Sequence, residues 1–309
     1  MSVHETSSSD FIRIVEVGPR DGLQNEKTML SVEDKAQYIR LLKLAGVQEL
    51  EVTSFVRPDK IPQLKDAREL LTLLNKGDAA IQPFQSQYVL IPNLKGLAEA
   101  KALDCRHFAL FTSNSETFNQ KNINTSIDES LVKMQAVMDE IKKDQLPDTK
   151  VRAYISMAFG CPYEGATPLK RLVQIAKQCY AMGAFEISLG DTIGIASPKA
   201  VKEVIKALAS ECPLESIAMH FHDTRGMALT NIYASLESGI KTFDASSGGL
   251  GGCPYALNAT GNVATEDVVY LLHQQGLQTG IDLLKLKAAS TFILNRLGKQ
   301  SPSKLFSLL

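Results

Sequence analysis

The sequence predicts an α/β protein, a (β/α)8 TIM barrel with extra C-terminal helices. Two observations carry this. Short apolar runs of strand length alternate with longer amphipathic segments through the chain, a pattern that predicts a parallel sheet. Eight such strand–helix units fit, the number that closes a barrel, whereas a doubly wound sheet is the alternative for the same alternation. Residues 1–10 read as a flexible polar leader. No linker long enough to mark a second independent domain interrupts 11–309, which are read as one barrel domain including a C-terminal helical extension.

The elements follow in order. Strands are expected at Phe11–Gly18, Gln48–Phe55, Gln87–Pro92, His107–Thr112, Val151–Ala158, Phe185–Asp191, Ser216–Asp223 and Lys241–Ser247, each rich in β-branched or aromatic residues. Between them, SVEDKAQYIRLLKLAGV has Ser31 as N-cap, Glu33 and Asp34 in its first turn and Gly46 as a stop. SIDESLVKMQAVMDEIKKD starts at Ser126, carries Asp128 and Glu129 early and closes on lysines, an order that suits the helix dipole. TPLKRLVQIAKQCYAMG and SPKAVKEVIKALASE each place a proline just after a Thr or Ser cap. ATEDVVYLLHQQG and IDLLKLKAASTFILNRLG supply the extra helices.

Composition narrows the function classes. The 309 residues are 44% hydrophobic, enough for a large core, and the net charge is −1 with no long basic run. Nucleic acid and anionic membranes are therefore not expected partners, and no apolar run approaches a membrane span. Five irregularly spaced cysteines (Cys105, Cys161, Cys179, Cys212, Cys253) argue against a disulfide framework and for a reducing compartment. The polar, acid-containing start lacks a secretory or organelle pattern, and the SKL near the end is internal. A cytoplasmic location is the expectation. The tetrapeptide GCPY occurs twice, at Gly160–Tyr163 and Gly252–Tyr255, and each copy follows a predicted strand, which puts Cys161 and Cys253 on loops at the C-terminal mouth.

Several residues there can carry chemistry. His220 and His222 in AMHFHDT are two apart on a predicted strand, so both imidazoles point the same way, and neutral imidazoles are metal ligands. Two polar, hydrogen-bonded barrel residues are the alternative, and a metal site needs further ligands. Asp21, in GPRDGLQNE after the first strand, can reach the same mouth; Arg20, Gln24, Asn25 and Glu26 crowd around it, although Pro19 and Gly22 also suit a plain turn. Glu51 lies inside the second strand and needs a partner such as Arg20, unless it and Glu49 face outward together. Asp191 ends the sixth strand and reads best as a cap or a group behind the ligands. The side-chain oxygen of Asn262 suits a hard cation, or a helix cap. Cys253 stands in a glycine-rich loop without P-loop spacing; a small buried residue and a reactive thiol both remain open for it.

Taken in order, VEVGPRDGLQNEK, EVTSFV, KNINTSIDES, GCPYEG, ISLGDTIG, HFHDT, GLGGCPY and TGNVATEDVVYLL closely resemble the 3-hydroxy-3-methylglutaryl-CoA lyase family, barrel metallolyases related to isopropylmalate and homocitrate synthases. The resemblance spans nearly the whole chain. It implies a Mg²⁺ or Mn²⁺ ion held by Asp21, His220, His222 and Asn262, with Arg20 stabilising the enolate of the departing acetyl-CoA. It further implies that Glu51 fixes Arg20, that Asp191 and Gln24 lie with Arg20 toward the substrate, and that Cys253 is the reactive cysteine. An acyl-CoA substrate, a homodimer, and a place in leucine degradation or ketone-body formation are implied in the same way. The chain departs from the family pattern at Arg225, at ALNATGN and at Arg57.

The implied reaction is a retro-aldol-type cleavage to acetyl-CoA and acetoacetate, with His220 or Asp21 as base. A free thiol with a pKa near ~8.5 is mostly protonated at pH 7, so Cys253 suits proton donation to the carbanion better than nucleophilic attack. A condensing synthase of the same barrel family and a non-catalytic CoA- or metal-binding barrel are the competing readings. The first would give no acetoacetate and the second no metal-dependent turnover.

Overall fold

The computed structural model describes residues 10–76, 83–145, 147–252 and 261–309. Eight parallel strands close into a barrel in sequence order: β1 (Arg13–Glu16), β2 (Glu49–Ser54), β3 (Ser86–Leu90), β4 (His107–Ser113), β5 (Lys150–Ser156), β6 (Glu186–Asp191), β7 (Ile217–Phe221) and β8 (Thr242–Ala245). β8 returns to β1, with Arg13 opposite Thr242 and Glu16 opposite Ala245. The (β/α)8 expectation is borne out and the doubly wound alternative is not.

Most helices between strands bury one apolar face against the sheet. α1 (Val32–Leu44) begins where Ser31 accepts from the Asp34 amide, and it buries Ala36, Tyr38, Ile39 and Leu42. α2 (Ala67–Asn75) and α3 (Leu94–Lys101) follow β2 and β3. After β4 the chain makes two helices, α4 (Glu116–Ile123) and α5 (Ile127–Lys143), where the sequence reading expected one. α4 has little amphipathic character, so periodicity does not reveal it; Ser115 caps it and Asn124 ends it with left-handed backbone. Ser126 and Glu129 form a reciprocal capping box on α5. α6 (Leu169–Met182) departs from expectation: Pro168, not Thr167, is the N-cap, and the Thr167 hydroxyl donates instead to the Met157 carbonyl. α7 (Pro198–Leu208) has Ser197 as its cap, as its sequence predicts. α8 (Ala228–Glu237) completes the seventh unit, α9 (Thr265–Gln274) follows β8 and closes the eighth, and α10 (Leu283–Leu297) extends the barrel, packing against α1. No helix among the described residues is long and apolar enough to cross a membrane.

The principal core lies between sheet and helices. The barrel interior is different. It holds a small apolar cluster of Val15, Val17 and Tyr88 beside a lattice of buried charges. Arg13 grips both oxygens of Glu49, at 2.6 and 2.8 Å, and donates to Glu186 at 2.6 Å. Arg152 Nε donates to the other Glu186 oxygen at 2.6 Å, and Arg152 Nη2 donates to Asp244 at 2.7 Å. Glu49 and Glu51 therefore do share a face, as strand period requires, but that face is the interior: both are buried, and the outward reading is overturned. The reason is the ring of arginines from β1, the turn after it and β5, which gives each carboxylate a counter-charge.

Candidate active site at the strand C-terminal mouth

After β1 the stretch GPRDG turns as one π-helical loop, Gly18–Gly22, because the Val17 carbonyl accepts amides from Arg20, Asp21 and Gly22. Pro19 lacks an amide and loses nothing there. The turn sits tight on its neighbours: a Cβ at Gly18 would lie 2.4 Å from the Tyr38 hydroxyl and 2.5 Å from Glu16 Oε1. That same Glu16 oxygen accepts from the Gly18 and Ser247 amides, each at 2.8 Å, tying the turn after β1 to the turn after β8. The P-R-D-G signal for a turn was sound, and the turn is also what aims Arg20 and Asp21 into the mouth.

Arg20 is buried. Its Nη1 donates to Asp21 Oδ1 at 2.7 Å and to Gln24 Oε1 at 3.3 Å, and its Nη2 pairs with Glu51 Oε2 at 2.6 Å. The guanidinium lies over the Tyr154 ring, 5.6 Å from its centroid, and the Tyr154 hydroxyl donates to Glu51 at 3.1 Å. Arg20 Nε and Glu51 Oε1 have no partner. Burial alone would lower the Arg20 pKa; Glu51 and Asp21 outweigh it and raise it, so the charge is secure.

His220 is the penultimate residue of β7, and His222 follows the strand directly after Phe221. His222 is held in register by a bridge to Asn262, with Asp223 donating to the Gly261 carbonyl at 2.7 Å and Val263 to that of Phe221 at 3.1 Å. One ligand atom each from Asp21, His220 and His222 lies within 4.8 Å of the others. His220 Nε2 is 4.0 Å from Asp21 Oδ2, close enough for one ion with bonds of about 2.1 Å to touch both. His222 Nδ1 is buried without a partner. Burial and the neighbouring His220 lower the His222 pKa to about 4, so it is neutral at pH 7 and free to ligate. Burial raises Asp21, but Arg20 and the two histidines overcome this and lower it, keeping it ionised. An acid, two imidazoles and an orphaned ring nitrogen fit a divalent cation.

The fourth expected ligand is adjacent in a different pose. Asn262 Nδ2 donates to Asp21 Oδ2 at 2.8 Å and to the Leu250 carbonyl at 3.2 Å, so its nitrogen end faces Asp21, whereas ligation uses its oxygen. Asp191 is buried but spends both oxygens as a cap, accepting the Ile195 amide at 2.9 Å and the Ala196 amide at 3.0 Å. Gln24 stands with Arg20 and Asp21, donating to Asp21 Oδ1 at 3.2 Å. Cys253 lies outside the described residues, as do Leu257, Asn258 and most of the second GCPY. In the first GCPY, Cys161 is buried and its sulfur accepts from the Ser115 hydroxyl at 3.0 Å and the Tyr163 amide at 3.4 Å.

Sequence reasoning missed Asp244, Arg152 and Tyr154. Asp244 Oδ2 accepts from His220 Nδ1 at 3.2 Å and from Ser188 Oγ at 2.7 Å. Burial would raise its pKa; Arg152, with His220, outweighs this and holds it down to about 2. For His220 burial acts downward, and the bond and charge of Asp244 overturn it into a net rise. The signal was present: a charged residue inside an otherwise apolar strand, the argument applied to Glu51, holds equally for Arg152 in VRAYISMA and Asp244 in KTFDASS.

Known proteins resemble this chain over nearly its full length. The chain is 47% identical over 294 residues to "Hydroxymethylglutaryl-CoA lyase, mitochondrial" of Arabidopsis thaliana, covering 95% of this chain and 61% of that longer protein. It is 45% identical to the Gallus gallus mitochondrial lyase, covering 95% of this chain and 96% of that one. Relatives named cytoplasmic also match. Among solved structures, the Bacillus subtilis HMG-CoA lyase superposes with a TM-score of 0.91 at 42% identity, over 97% of this chain and 98% of that one. An Acinetobacter baumannii HMG-CoA lyase in complex with coenzyme A and 3-methylmalate gives 0.89 at 35% identity, over 98% and 96%. Fold and site thus define a barrel enzyme of the carbon–carbon lyase class. Within that class the chain belongs to the HMGL-like family, which matches residues 11–293.

Proposed function

We propose that this enzyme cleaves 3-hydroxy-3-methylglutaryl-CoA to acetyl-CoA and acetoacetate with the help of Mg²⁺ or Mn²⁺. The observation that carries the reading is the Asp21–His220–His222 donor cluster with the Arg20 guanidinium beside it, in a chain similar over nearly its full length to proteins named for that reaction. When bound, the cation would supply Lewis acidity to the hydroxyl and carboxylate oxygens of the substrate. Asp21, His220 and His222 would hold it, and the Asn262 amide would join them by presenting its oxygen. Of the two candidate bases, Asp21 keeps a second carboxylate oxygen for the hydroxyl proton, whereas His220 can take it only while Nε2 is off the cation.

As the C–C bond breaks, negative charge develops toward the thioester oxygen. Arg20 is preorganised for it: Glu51 and Asp21 hold its two terminal nitrogens, and Nε is left without a partner. Gln24 beside Arg20 is assigned to the substrate with it, and Asp191 shapes the loop after β6 at the same mouth. Cys253 is assigned as the acid that protonates the enolate carbon. The setting proposed is a cytoplasmic homodimer acting on an acyl-CoA in leucine degradation or ketone-body formation.

Incubation with 3-hydroxy-3-methylglutaryl-CoA, with and without Mg²⁺, tests the proposal directly. Acetoacetate and acetyl-CoA in equal amounts, formed with metal alone, are expected. No acetoacetate would refute the reaction, and equal rates with and without metal would refute the metal. Cys253→Ser is expected to abolish most turnover while metal binding persists; near-normal turnover removes the thiol from the acid role.

A further inference from the structure

The ion-pair lattice inside the barrel ends on a proposed metal ligand, and that junction carries an inference resting on the metal reading above. We propose that Asp244, itself held by Arg152, is a positioning residue that locks His220 with Nδ1 protonated and Nε2 presented to the cation.

Geometry excludes a direct ligand role for Asp244. Its Oδ1 is taken by Arg152 Nη2 at 2.7 Å, and its Oδ2 by Ser188 Oγ at 2.7 Å and His220 Nδ1 at 3.2 Å. It stands opposite His220 in the β7–β8 register, so the strand pairing itself brings the carboxylate to the ring. His220 has two nitrogens, and the one on Asp244 is not the one 4.0 Å from Asp21. An acid on Nδ1 makes that nitrogen the donor and leaves Nε2 its lone pair, and it raises the basicity of the ligand. Two aromatic rings also lie beside it: Tyr154 meets it edge-on with centroids 6.4 Å apart, and His222 lies at 5.4 Å. Neither ring replaces a carboxylate as acceptor.

Arg152 makes the arrangement possible. Asp244 is 1% exposed and Arg152 fully buried, so the carboxylate depends on this counter-charge rather than on solvent. Arg152 also donates to the Tyr154 hydroxyl at 2.9 Å, and Tyr154 donates to the Glu51 that holds Arg20. One buried guanidinium therefore stands behind both the histidine and the arginine of the site.

The test is Mn²⁺ affinity of the metal-stripped full-length chain, read by the electron paramagnetic resonance of free Mn²⁺. Asp244→Asn is expected to weaken binding about 10–100-fold. Ser188→Ala, which removes one hydrogen bond and leaves the histidine contact, should stay within about threefold. An Asp244→Asn protein that binds Mn²⁺ like the wild type overturns the proposal. A wild type that binds no Mn²⁺ overturns the metal reading beneath it, so the two failures are distinguishable. Where Asp244→Asn does not fold, ¹⁵N correlation spectra of the Mg²⁺-loaded wild type decide. A proton on His220 Nδ1 supports the proposal, and a proton on Nε2 refutes it.

Discussion

The two ends of the barrel interior are built from the same residue types and treated in opposite ways. At the N-terminal end every charge is answered: Arg13 uses all three nitrogens, on Glu49, Glu186 and Thr242, and both oxygens of Glu186 are taken by arginines. At the C-terminal mouth, Arg20 Nε, Glu51 Oε1 and His222 Nδ1 are buried with no partner. A buried polar atom left unpaired costs about 1–3 kcal/mol, so a fold that tolerates three within one cluster gives up stability there. The difference separates scaffold from site without reference to any relative. Saturated charges hold the barrel's shape, and unsatisfied ones wait for a ligand.

The largest expected effects come from removing the unsatisfied groups. Arg20→Gln should lower kcat about 10²–10³-fold, the usual loss for a donor aimed at developing negative charge, while Mn²⁺ affinity persists. His222→Ala should abolish Mn²⁺ binding, while its thermal midpoint falls only by the cost of the cavity that the buried ring leaves, because the orphaned Nδ1 has no partner to lose. A strongly destabilised His222→Ala protein that still binds metal would reverse the comparison.

The same truncation logic at the other end predicts stability without chemistry. Glu186→Gln would leave Arg13 and Arg152 short of a counter-charge in a site with 0% exposure of the acid. Breaking one partner of a buried network costs about 3–5 kcal/mol, roughly a 5–8 °C drop in thermal midpoint for a chain of this size. A midpoint unchanged by Glu186→Gln would mean that the N-terminal lattice is not what holds the barrel.

Much of this was legible in the sequence. The period-two and helical patterns located all eight strands, and the caps Ser31, Ser126 and Ser197 fall where composition placed them. The HxH spacing put both imidazoles at one mouth with Asp21. What was not legible has a common cause: a single strand does not reveal its neighbours. Glu51 reads as either a partner of Arg20 or an outward residue until the structure sets it against Arg20 and β5 adds Tyr154. Asp244 looks like one odd residue in KTFDASS until the β7–β8 register sets it beside His220. Thr167 reads as a cap until the Met157 carbonyl competes for its hydroxyl. Local rules describe a segment, and barrel closure decides which segments meet.

A smaller effect concerns two buried acids that serve both regions. Glu16 links the turns after β1 and β8, and Glu266 accepts the Gly248 amide on both oxygens, at 3.0 and 2.9 Å, and the Ser290 hydroxyl. Burial, only partly offset by these hydrogen bonds, raises each to about 7. An acid raised in the folded state favours folding while protonated. Its contribution is fully present below the unfolded value near ~4.5 and is lost as pH rises through 7. Urea midpoints measured from pH 4.5 to 7.5 should therefore fall more steeply for the wild type than for Glu266→Gln, by up to about 1.4 kcal/mol per pH unit. Parallel slopes would show that Glu266 is ionised in the folded chain throughout.

The finest test lies at Gly251, where loop backbone meets the site. Its φ is +106°, and a Cβ there would lie 2.7 Å from Asn262 Nδ2. The carbonyl of the preceding Leu250 also accepts from that amide, so this loop holds Asn262 from one side and Asp21 holds it from the other. Gly251→Ala meets two penalties: a backbone conformation that L residues adopt at a cost of about 1–3 kcal/mol, and a clash with a side chain that has a partner on each side. If Asn262 completes the cation site, relief of the clash pulls its amide away from Asp21, and Mn²⁺ affinity should fall several-fold. If Asn262 only braces the loop, the thermal midpoint should drop while Mn²⁺ affinity stays at the wild-type value. Midpoint and affinity measured on the same preparation separate the two roles, and the second outcome would move Asn262 from the unsatisfied mouth to the saturated scaffold.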